Sequence, residues 1–349
     1  MTNLHIPHSR PWISDQDRQA VLDTLAGNMI AQGEKAKAFE NAVKEYVRVE
    51  HAIAVASGSS AIVLALAALS LGARDEVVLP TYVCRSVLDA VISVGAKPVI
   101  CDVDLMGVLN QKVVSNAITR RTKAIIAVHI FGRPCDIVSL RSFGVPVIED
   151  ACQAFGLDLG GRGAGTLGDI GVYSFHATKC LTTGEGGMLV CRDPELATRA
   201  RALAMGAAGQ GQRLFMPLSD LQAALGLSQL TRYPEFLNRR NLIRTQYLCA
   251  AQEFGLQAEE INASGGMFRF TVFVDQPFGE LQNQYSSFGI SIRKGVDELL
   301  HRIVGLSDDD FPCATELFRK TVSLPFYPSL TDQEVGAIRR SFDLLKNGL

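Results

Sequence analysis

Two charged side chains, Asp150 and Lys179, have types and surroundings that could do chemistry. Asp150 and its neighbour Glu149 end an apolar run at 145–148, and Lys179 follows the strand-like run Ile170–Ser174. Short apolar runs of this kind predict buried strands, which deliver their last residues to one edge of a sheet. We therefore expect two strand ends to bring Asp150 and Lys179 together, with the intervening glycines leaving room for a ligand.

The chemistry that needs such a pair is that of pyridoxal phosphate. A lysine amine forms a Schiff base with the aldehyde of this cofactor, and a carboxylate keeps the pyridinium nitrogen protonated so that the ring accepts electrons. The alternative is an ordinary solvated charge, which is the commoner fate of a lysine such as Lys179 in a loop rich in Gly and Thr.

Four short motifs surround this pair in a fixed order. They are Asp150-Ala151-Cys152-Gln153, Gly168-Asp169-Ile170-Gly171, Ser174-Phe175-His176-Ala177-Thr178-Lys179 and Thr183-Gly184-Glu185-Gly186-Gly187. Their order and spacing resemble the signature of the DegT/DnrJ/EryC1/StrS family of sugar aminotransferases. Weaker matches extend the resemblance over about 10–345, so it covers nearly the whole chain.

Alternation of short apolar runs with helical patterns indicates an α/β protein. The resemblance implies the aspartate-aminotransferase-like fold of type I, a mixed, mostly parallel seven-stranded sheet in a large domain followed by a smaller C-terminal α/β domain. We assign the large cofactor-binding domain to 1–234, with an N-terminal arm at about 1–13, and the small domain to 235–349. The resemblance also implies a homodimer with active sites at the interface.

The resemblance implies a role for each residue of the central stretch. Lys179 would hold the cofactor as an internal aldimine, and once released it would act as the general base. Asp150 would keep the ring nitrogen protonated, and Gln153 would hydrogen-bond the ring hydroxyl.

A strand at 52–55, the turn Ser57-Gly58-Ser59-Ser60 and a long apolar helix form a second candidate site. Unpaired N–H groups and the positive end of the helix dipole favour a phosphate there. Ordinary capping by a serine is the alternative reading of the turn. Because the turn matches the family's Ser-Gly-Thr-Ala, we assign Ser59 and Ser60, with Ser174, to the cofactor phosphate.

Several positions depart from the family pattern. Ala31 stands where relatives carry Ser or Thr, so we expect a substrate contact from its loop through the backbone or Gln32. Cys84 stands where relatives stack an aromatic ring on the cofactor, and we assign it to the cofactor site. Phe215 and Pro217 replace an Asn and an Arg, and that Asn reaches the partner's cofactor phosphate in relatives. Arg293 is either a ligand for an anionic substrate group or a surface arginine.

Bulk composition excludes several classes of protein. The 349 residues carry a formal charge of −2 and a pI near 6.3, so we expect no nucleic-acid partner. The eight cysteines form no Cys-x-x-Cys pair and the six histidines are dispersed, which predicts reduced thiols and no metal site. The apolar run 61–71 is too short to span a membrane and no signal peptide is apparent, so we expect a cytoplasmic protein.

The sequence thus predicts a pyridoxal phosphate-dependent aminotransferase that moves an amino group from glutamate onto a nucleotide-linked keto sugar. One alternative is a non-catalytic regulatory member that binds cofactor or sugar, which the departures at Cys84, Phe215 and Pro217 would suit. A deoxygenating dehydratase is disfavoured because such relatives replace the lysine with histidine. Ordinary amino-acid transamination needs a carboxylate clamp, which the sequence alone does not reveal.

Overall fold

A seven-stranded sheet forms the centre of the molecule. The computed structural model describes residues 5–206, 214, 216–256, 258 and 268–346. The strands of this sheet are β1 (His51–Val55), β2 (Glu76–Pro80), β3 (Lys97–Cys101), β4 (Thr122–Val128), β5 (Val147–Asp150), β6 (Ile170–Ser174) and β7 (Gly187–Cys191).

The order of the strands is β1-β7-β6-β5-β4-β2-β3, and only β7 of these seven runs antiparallel to its neighbours. This is the mixed, mostly parallel sheet that the sequence predicted. Because the other six strands point the same way, Asp150 at the end of β5 and Ser174 at the end of β6 lie at one edge. In open α/β sheets that edge is where ligands bind.

Helices cover both faces of the sheet, because residues along each strand alternate between two cores. Ile53 and Val55 face one core, and Ala52 and Ala54 face the other. The helices of the first part of the chain are α1 (Asp15–Ala26), α2 (Glu34–Val47), α3 (Gly58–Ala68), α4 (Arg85–Ser93), α5 (Gln111–Ser115), α6 (Ile137–Arg141), α7 (Pro194–Met205) and α8 (Asp220–Thr231).

A second, smaller sheet follows in the C-terminal part of the chain. Its strands β8 (Phe270–Phe273), β9 (Arg293–Lys294) and β10 (Thr321–Leu324) lie in the order β8-β10-β9, with both pairs antiparallel. The helices of this part are α9 (Tyr233–Glu253), α10 (Phe278–Ser287), α11 (Leu300–Ile303), α12 (Pro312–Lys320) and α13 (Asp332–Arg340), with short 3-10 helices at Ile130–Gly132, Asp308–Asp310 and Ser341–Leu345.

Helix α9 joins the two parts. Its first turns place Tyr233 and Phe236 in a core beneath the large sheet, and its later turns place Ile243 and Tyr247 in the core of the smaller unit. The domain boundary assigned at 234/235 falls inside this helix and stays a prediction.

The N-terminal segment packs on the smaller unit. Ile6 is fully buried and bridges Ile290, with hydrogen bonds from the Ile6 N–H to the Gly289 carbonyl and from the Ser291 N–H to the Ile6 carbonyl. The segment 290–294 is therefore divided between this bridge and β9. The pairing carries His8 towards the ends of the large-sheet strands.

The buried carboxylate of Glu149 organises the glycine-rich crossing between β5 and β6. One of its oxygens accepts hydrogen bonds from the Gly165 N–H at 2.7 Å and from His129 at 2.8 Å. The other oxygen accepts from the N–H groups of Leu167 and Gly168, both at 2.7 Å. Burial opposes the ionisation of Glu149, but the bonds from His129 and the glycines outweigh it and hold the pKa of this carboxyl below its usual value.

The imidazole of His129 has a fixed tautomer. Its Nδ1 accepts a hydrogen bond from the Cys135 N–H at 2.9 Å, so the ring proton lies on Nε2 and is donated to Glu149. The structure thus gives His129 a structural position, at the end of β4 beside the crossing.

We expect Glu149→Gln to lower the free energy of unfolding by about 3 kcal/mol, because an amide NH₂ would face backbone N–H groups that now donate to a buried carboxylate. Urea unfolding at neutral pH measures the loss. The exposed Glu50, which pairs with Arg192 at the surface, provides the control Glu50→Gln, with little change expected.

The effect of Glu149→Gln should also depend on pH. Since the folded-state pKa of Glu149 is depressed, its contribution is fully present above the unfolded-state value of about 4.5 and is lost as the pH falls through the lower folded-state value. The difference between wild type and variant should therefore be constant from pH 6 to 8 and shrink below about pH 4.5. A difference that grows on acidification would contradict this account.

Candidate active site

A cavity of about 220 Å³ lies at the edge of the sheet where the parallel strands end. The end of β5 contributes Asp150, the end of β6 contributes Ser174, and the N-terminus of α3 closes the cavity from the side. Its other lining residues include Cys84, Cys152, Gln153, His176 and Lys179. The structure therefore brings together most of the residues that the sequence assigned to one site.

Asp150 is almost fully buried, with 4% of its surface exposed. One carboxylate oxygen accepts a hydrogen bond from the Cys152 N–H at 3.0 Å. That bond fixes the direction of the side chain and leaves the second oxygen available in the cavity. A carboxylate so placed suits a protonated ring nitrogen.

Gln153 is oriented by the backbone of a neighbouring segment. Its carbonyl oxygen accepts a hydrogen bond from the Phe131 N–H at 2.7 Å. The side-chain NH₂ group is therefore the part left to donate into the cavity, which fits the ring hydroxyl that the sequence assigned to it.

Lys179 lies in the tight turn after β6. The backbone N–H of Lys179 donates to the His176 carbonyl at 2.8 Å, and the backbone N–H of Thr183 donates to the Phe175 carbonyl at 2.9 Å. The Lys179 ammonium lies 4.6 Å from the centre of the Phe268 ring, which comes from the smaller unit. Among the described residues, no carboxylate lies within ion-pair distance of Lys179.

The N-terminus of α3 meets the cavity through its first residues. Ser57 caps the helix by accepting from the Ser60 N–H at 3.0 Å, and the Ser57 and Ser60 hydroxyls lie 2.9 Å apart. Ser59 is exposed and lines the cavity, whereas Ser60 does not. The hydroxyl of Ser60 thus takes part in capping, and its assignment to a phosphate stays a prediction, as do those of Ser59 and Ser174.

The close packing at Gly58 keeps the helix N-terminus open to the cavity. A Cβ atom on Gly58 would lie 2.7 Å from the Cβ of Ser174 and 3.0 Å from the sulfur of Cys152. Only glycine therefore leaves the helix N-terminus open beside Ser174. Together with the acid at Asp150 and the amine at Lys179, this cradle fits pyridoxal phosphate.

A second cavity, of about 160 Å³, lies on the other side of Lys179. Lys179, His176 and Thr178 line both cavities, so the lysine forms part of their shared wall. The second cavity is otherwise built mainly from the N-terminal segment and the smaller unit. Arg293 lines it, so the structure places this predicted substrate residue close to Lys179.

Gln32 lies outside both cavities. Its loop is tied to α8, because the Asp220 carboxylate accepts from the Gly33 and Ala36 N–H groups at 2.8 and 2.9 Å. The weak assignment of Gln32 to substrate stays a prediction. Of the two replaced positions, Phe215 lies outside the described residues, and Pro217 bridges Val55 at the end of β1.

Arg269 and Phe268 are residues of the second cavity that the sequence reading missed. The two residues immediately precede β8, which begins at Phe270. An arginine next to an alternating apolar run was the available signal, but its distance of ninety positions from Lys179 hid the contact.

A comparison with known families decides the class of protein. The family model described as the DegT/DnrJ/EryC1/StrS aminotransferase family matches residues 11–343. The chain belongs to this aminotransferase family. Membership confirms the predicted family, the enzyme class of aminotransferase and the cofactor, pyridoxal phosphate.

Individual relatives span nearly all of this aminotransferase. A spore coat polysaccharide biosynthesis protein of Bacillus subtilis, SpsC, is 33% identical, over 95% of each chain. A dTDP-4-dehydro-2,3,6-trideoxy-D-glucose 4-aminotransferase of Saccharopolyspora spinosa is 32% identical, over 98% of this chain and 96% of its own. The crystal structure of the aminotransferase TlmJ from Streptoalloteichus hindustanus is 30% identical with a TM-score of 0.90, covering 97% and 98% of the two chains, which confirms the fold.

The described part of the chain also bears on membrane and metal binding. None of the described helices is long and apolar enough to cross a membrane. Within the same part of the chain, no group of three or more His, Cys, Asp or Glu side chains is arranged to hold a metal ion.

We expect Gly58→Ala to weaken the binding of pyridoxal phosphate by about tenfold or more, because the new methyl group would overpack the cavity between Ser174 and Cys152. Titration of the cofactor-free protein with pyridoxal phosphate, followed by absorbance, measures the affinity. Gly72→Ala is the matched control, since a Cβ there meets no atom within 4 Å. Equal affinities for the two variants would show that α3 does not border the cofactor.

Proposed function

We propose that this aminotransferase moves an amino group from glutamate onto a keto sugar linked to a nucleotide. The observation that carries the proposal is the position of Lys179 on a shared wall, with Asp150 and the α3 N-terminus on one side and the second cavity on the other. The Saccharopolyspora relative, whose name gives a dTDP-linked keto sugar as its substrate, supports the substrate class.

When bound, the cofactor supplies an aldehyde that accepts the amino group and a ring that withdraws electrons. Asp150 holds the proton on the ring nitrogen, and the NH₂ of Gln153 donates to the ring hydroxyl. The backbone N–H groups at the start of α3, with Ser59 and Ser174, bind the phosphate. These residues would hold the ring beside Lys179.

Lys179 moves the proton that the reaction requires. With the cofactor bound, the neutral Nζ would act as general base towards the substrate carbon that bears the nitrogen, and the protonated Nζ would then act as general acid. The Phe268 ring, 4.6 Å from Nζ at its centre, positions this nitrogen without a competing hydrogen bond, and it also helps to keep water away from the transfer. Lys179 thus serves the amino donor first and the keto sugar second.

The proposal includes a homodimer in the cytoplasm. A group of large apolar side chains on α1 and the following loop is exposed, and Met29 and Ile30 are 73% and 48% accessible. Exposed apolar groups of this size are typical of protein interfaces. Gln32, outside both cavities of its own chain, lies next to this group. Buried thiols such as Cys101, Cys135 and Cys191 suit a reducing compartment.

We expect Lys179→Ala to bind pyridoxal phosphate but to lose the visible absorbance band of lysine-linked cofactor. Wild-type protein should show this band, and glutamate should convert it to that of the aminated cofactor. Lys123→Ala, an exposed lysine on β4, is the control and should behave as wild type. A wild-type band indifferent to every amino donor would support the non-catalytic binding protein instead.

We expect the double variant Met29→Glu, Ile30→Glu to shift the protein from dimer to monomer, because two carboxylates would have to be desolvated at the interface. Light scattering coupled to size-exclusion chromatography measures the mass. Leu105→Glu, at a residue 74% exposed outside this surface, should leave the dimer intact. A monomeric wild type would refute the proposed dimer.

A further inference from the structure

The second cavity carries an excess of positive charge. Five cationic side chains line it, and none of its described lining residues is Asp or Glu. A partly enclosed cavity with one sign of charge attracts counter-ions, and an anion that enters relieves the mutual repulsion of the cations. The five residues are Arg10, Lys179, Arg240, Arg269 and Arg293.

Two of the arginines already have partners. Arg10 donates to both oxygens of Glu334, at 3.1 and 2.8 Å. Arg240 donates to the Phe326 carbonyl at 3.0 Å and lies over the Phe326 ring. In contrast, Arg269 and Arg293 form no ion pair with any described residue. These two are therefore the arginines available to an incoming anion.

Arg269 is held in place with part of its hydrogen-bonding capacity unused. Its Nη1 donates to the carbonyl oxygens of Lys294 and Gly295, at 3.1 and 2.8 Å. Its guanidinium lies 5.5 Å from the centres of both the Phe131 and Phe268 rings. The Nε is buried and has no hydrogen-bond partner among the described residues. Burial lowers the pKa of Arg269 to about 10, which still leaves it charged at neutral pH.

His8 lies close enough to both Arg269 and Arg293 to interact with their charges. Its Nε2 lies 2.9 Å from the Ser323 hydroxyl, and Ser323 pairs with Arg293 between β10 and β9. Burial, with the charges of Arg269 and Arg293, lowers the pKa of His8 to about 3. The imidazole is therefore neutral, so it adds no charge while both guanidinium groups stay close to it.

The distance between Arg269 and Lys179 is one that a small amino acid can span. The Lys179 ammonium and the Arg269 guanidinium both lie over the Phe268 ring, at 4.6 and 5.5 Å from its centre. The two cations are thus no more than about 10 Å apart. The cavity volume of about 160 Å³ is below the roughly 300 Å³ at which pockets for drug-sized ligands begin. A nucleotide-linked sugar needs more room, whereas an amino acid does not.

We infer that Arg269 and Arg293 form a carboxylate-binding subsite for a dicarboxylic amino donor, with the donor's amine directed at Lys179. The planar guanidinium groups match carboxylates in bidentate fashion, so a donor with two carboxylates can occupy both arginines. This subsite is the clamp that the sequence did not reveal. The inference rests on the proposed function and names the residues that select the amino donor.

Binding of glutarate, an unreactive dicarboxylate without an amine, tests the subsite in the cofactor-loaded enzyme. Isothermal titration calorimetry should give a dissociation constant that rises by about tenfold or more in Arg293→Gln and in Arg269→Gln. Arg293→Lys should recover part of the affinity, because the charge remains but the fork is lost. Arg319→Gln, at an exposed arginine on α12 that pairs with Glu316, is the matched control and should bind as wild type.

Thymidine diphosphate provides the second arm of the experiment. Its affinity should be unchanged in Arg293→Gln if the two arginines serve the carboxylates of the amino donor. Loss of thymidine diphosphate binding with intact glutarate binding would overturn the inference and assign the arginines to the diphosphate. Unaltered glutarate binding in both variants, or none in the wild type, would also overturn it.

Two further measurements distinguish a failure of the subsite from misfolding of a variant and from a failure of the proposed function. Arg269 contacts the backbone of the smaller unit, so its variant could unfold; Arg293 is exposed, and a thermal melt with an intact cofactor band shows that its variant is folded. Failure of the proposed function would appear in the control Arg319→Gln and in wild type as absence of amino-sugar product. Failure of the subsite appears as normal glutarate binding in an enzyme that still forms product.

Discussion

The four hydrogen bonds that converge on the buried Glu149 carboxylate hold the site together. They fix the glycine-rich crossing against β5, so that β6 returns parallel to β5 and both strands end at the same edge. Gly171 of β6 packs so closely on this crossing that a Cβ there would lie 1.8 Å from the Gly165 carbonyl oxygen. This anchor, with the parallel pairing of β5 and β6, places Asp150 and Ser174 at a common edge.

The polar groups of the site are distributed so that few of them compete with one another. Asp150 and Gln153 each use one oxygen to accept a backbone N–H, which orients the side chain and leaves a single remaining group for the ligand. Lys179 contacts an aromatic ring where a carboxylate would have tied up the amine. The Arg269 guanidinium likewise contacts the Phe131 and Phe268 rings, so its positive charge lies against polarisable surfaces.

The sequence predicted best what local spacing determines. Asp150 and Lys179 each follow a strand, and the parallel arrangement brings strand ends together, so their meeting follows from periodicity and a family motif. Within one turn, the role of Ser60 could not be predicted, because a serine hydroxyl suits either a helix cap or a phosphate. Only the structure places this hydroxyl beside Ser57. At long range, the role of Arg269 could not be predicted. Arg269 and Lys179 both contact Phe268, and this arrangement depends on how the smaller unit packs on the large sheet.

The shared wall imposes an order on the chemistry. Since Lys179 borders both cavities, a ligand in the second cavity lies next to this side chain. If donor and acceptor both react beside the same amine, they must bind in turn. A site that alternates between a small dicarboxylate and a much larger sugar nucleotide cannot fit both tightly. Arginines with partly unused donors on a separate, smaller unit allow one substrate to be selected by charge and the other by the surface around it.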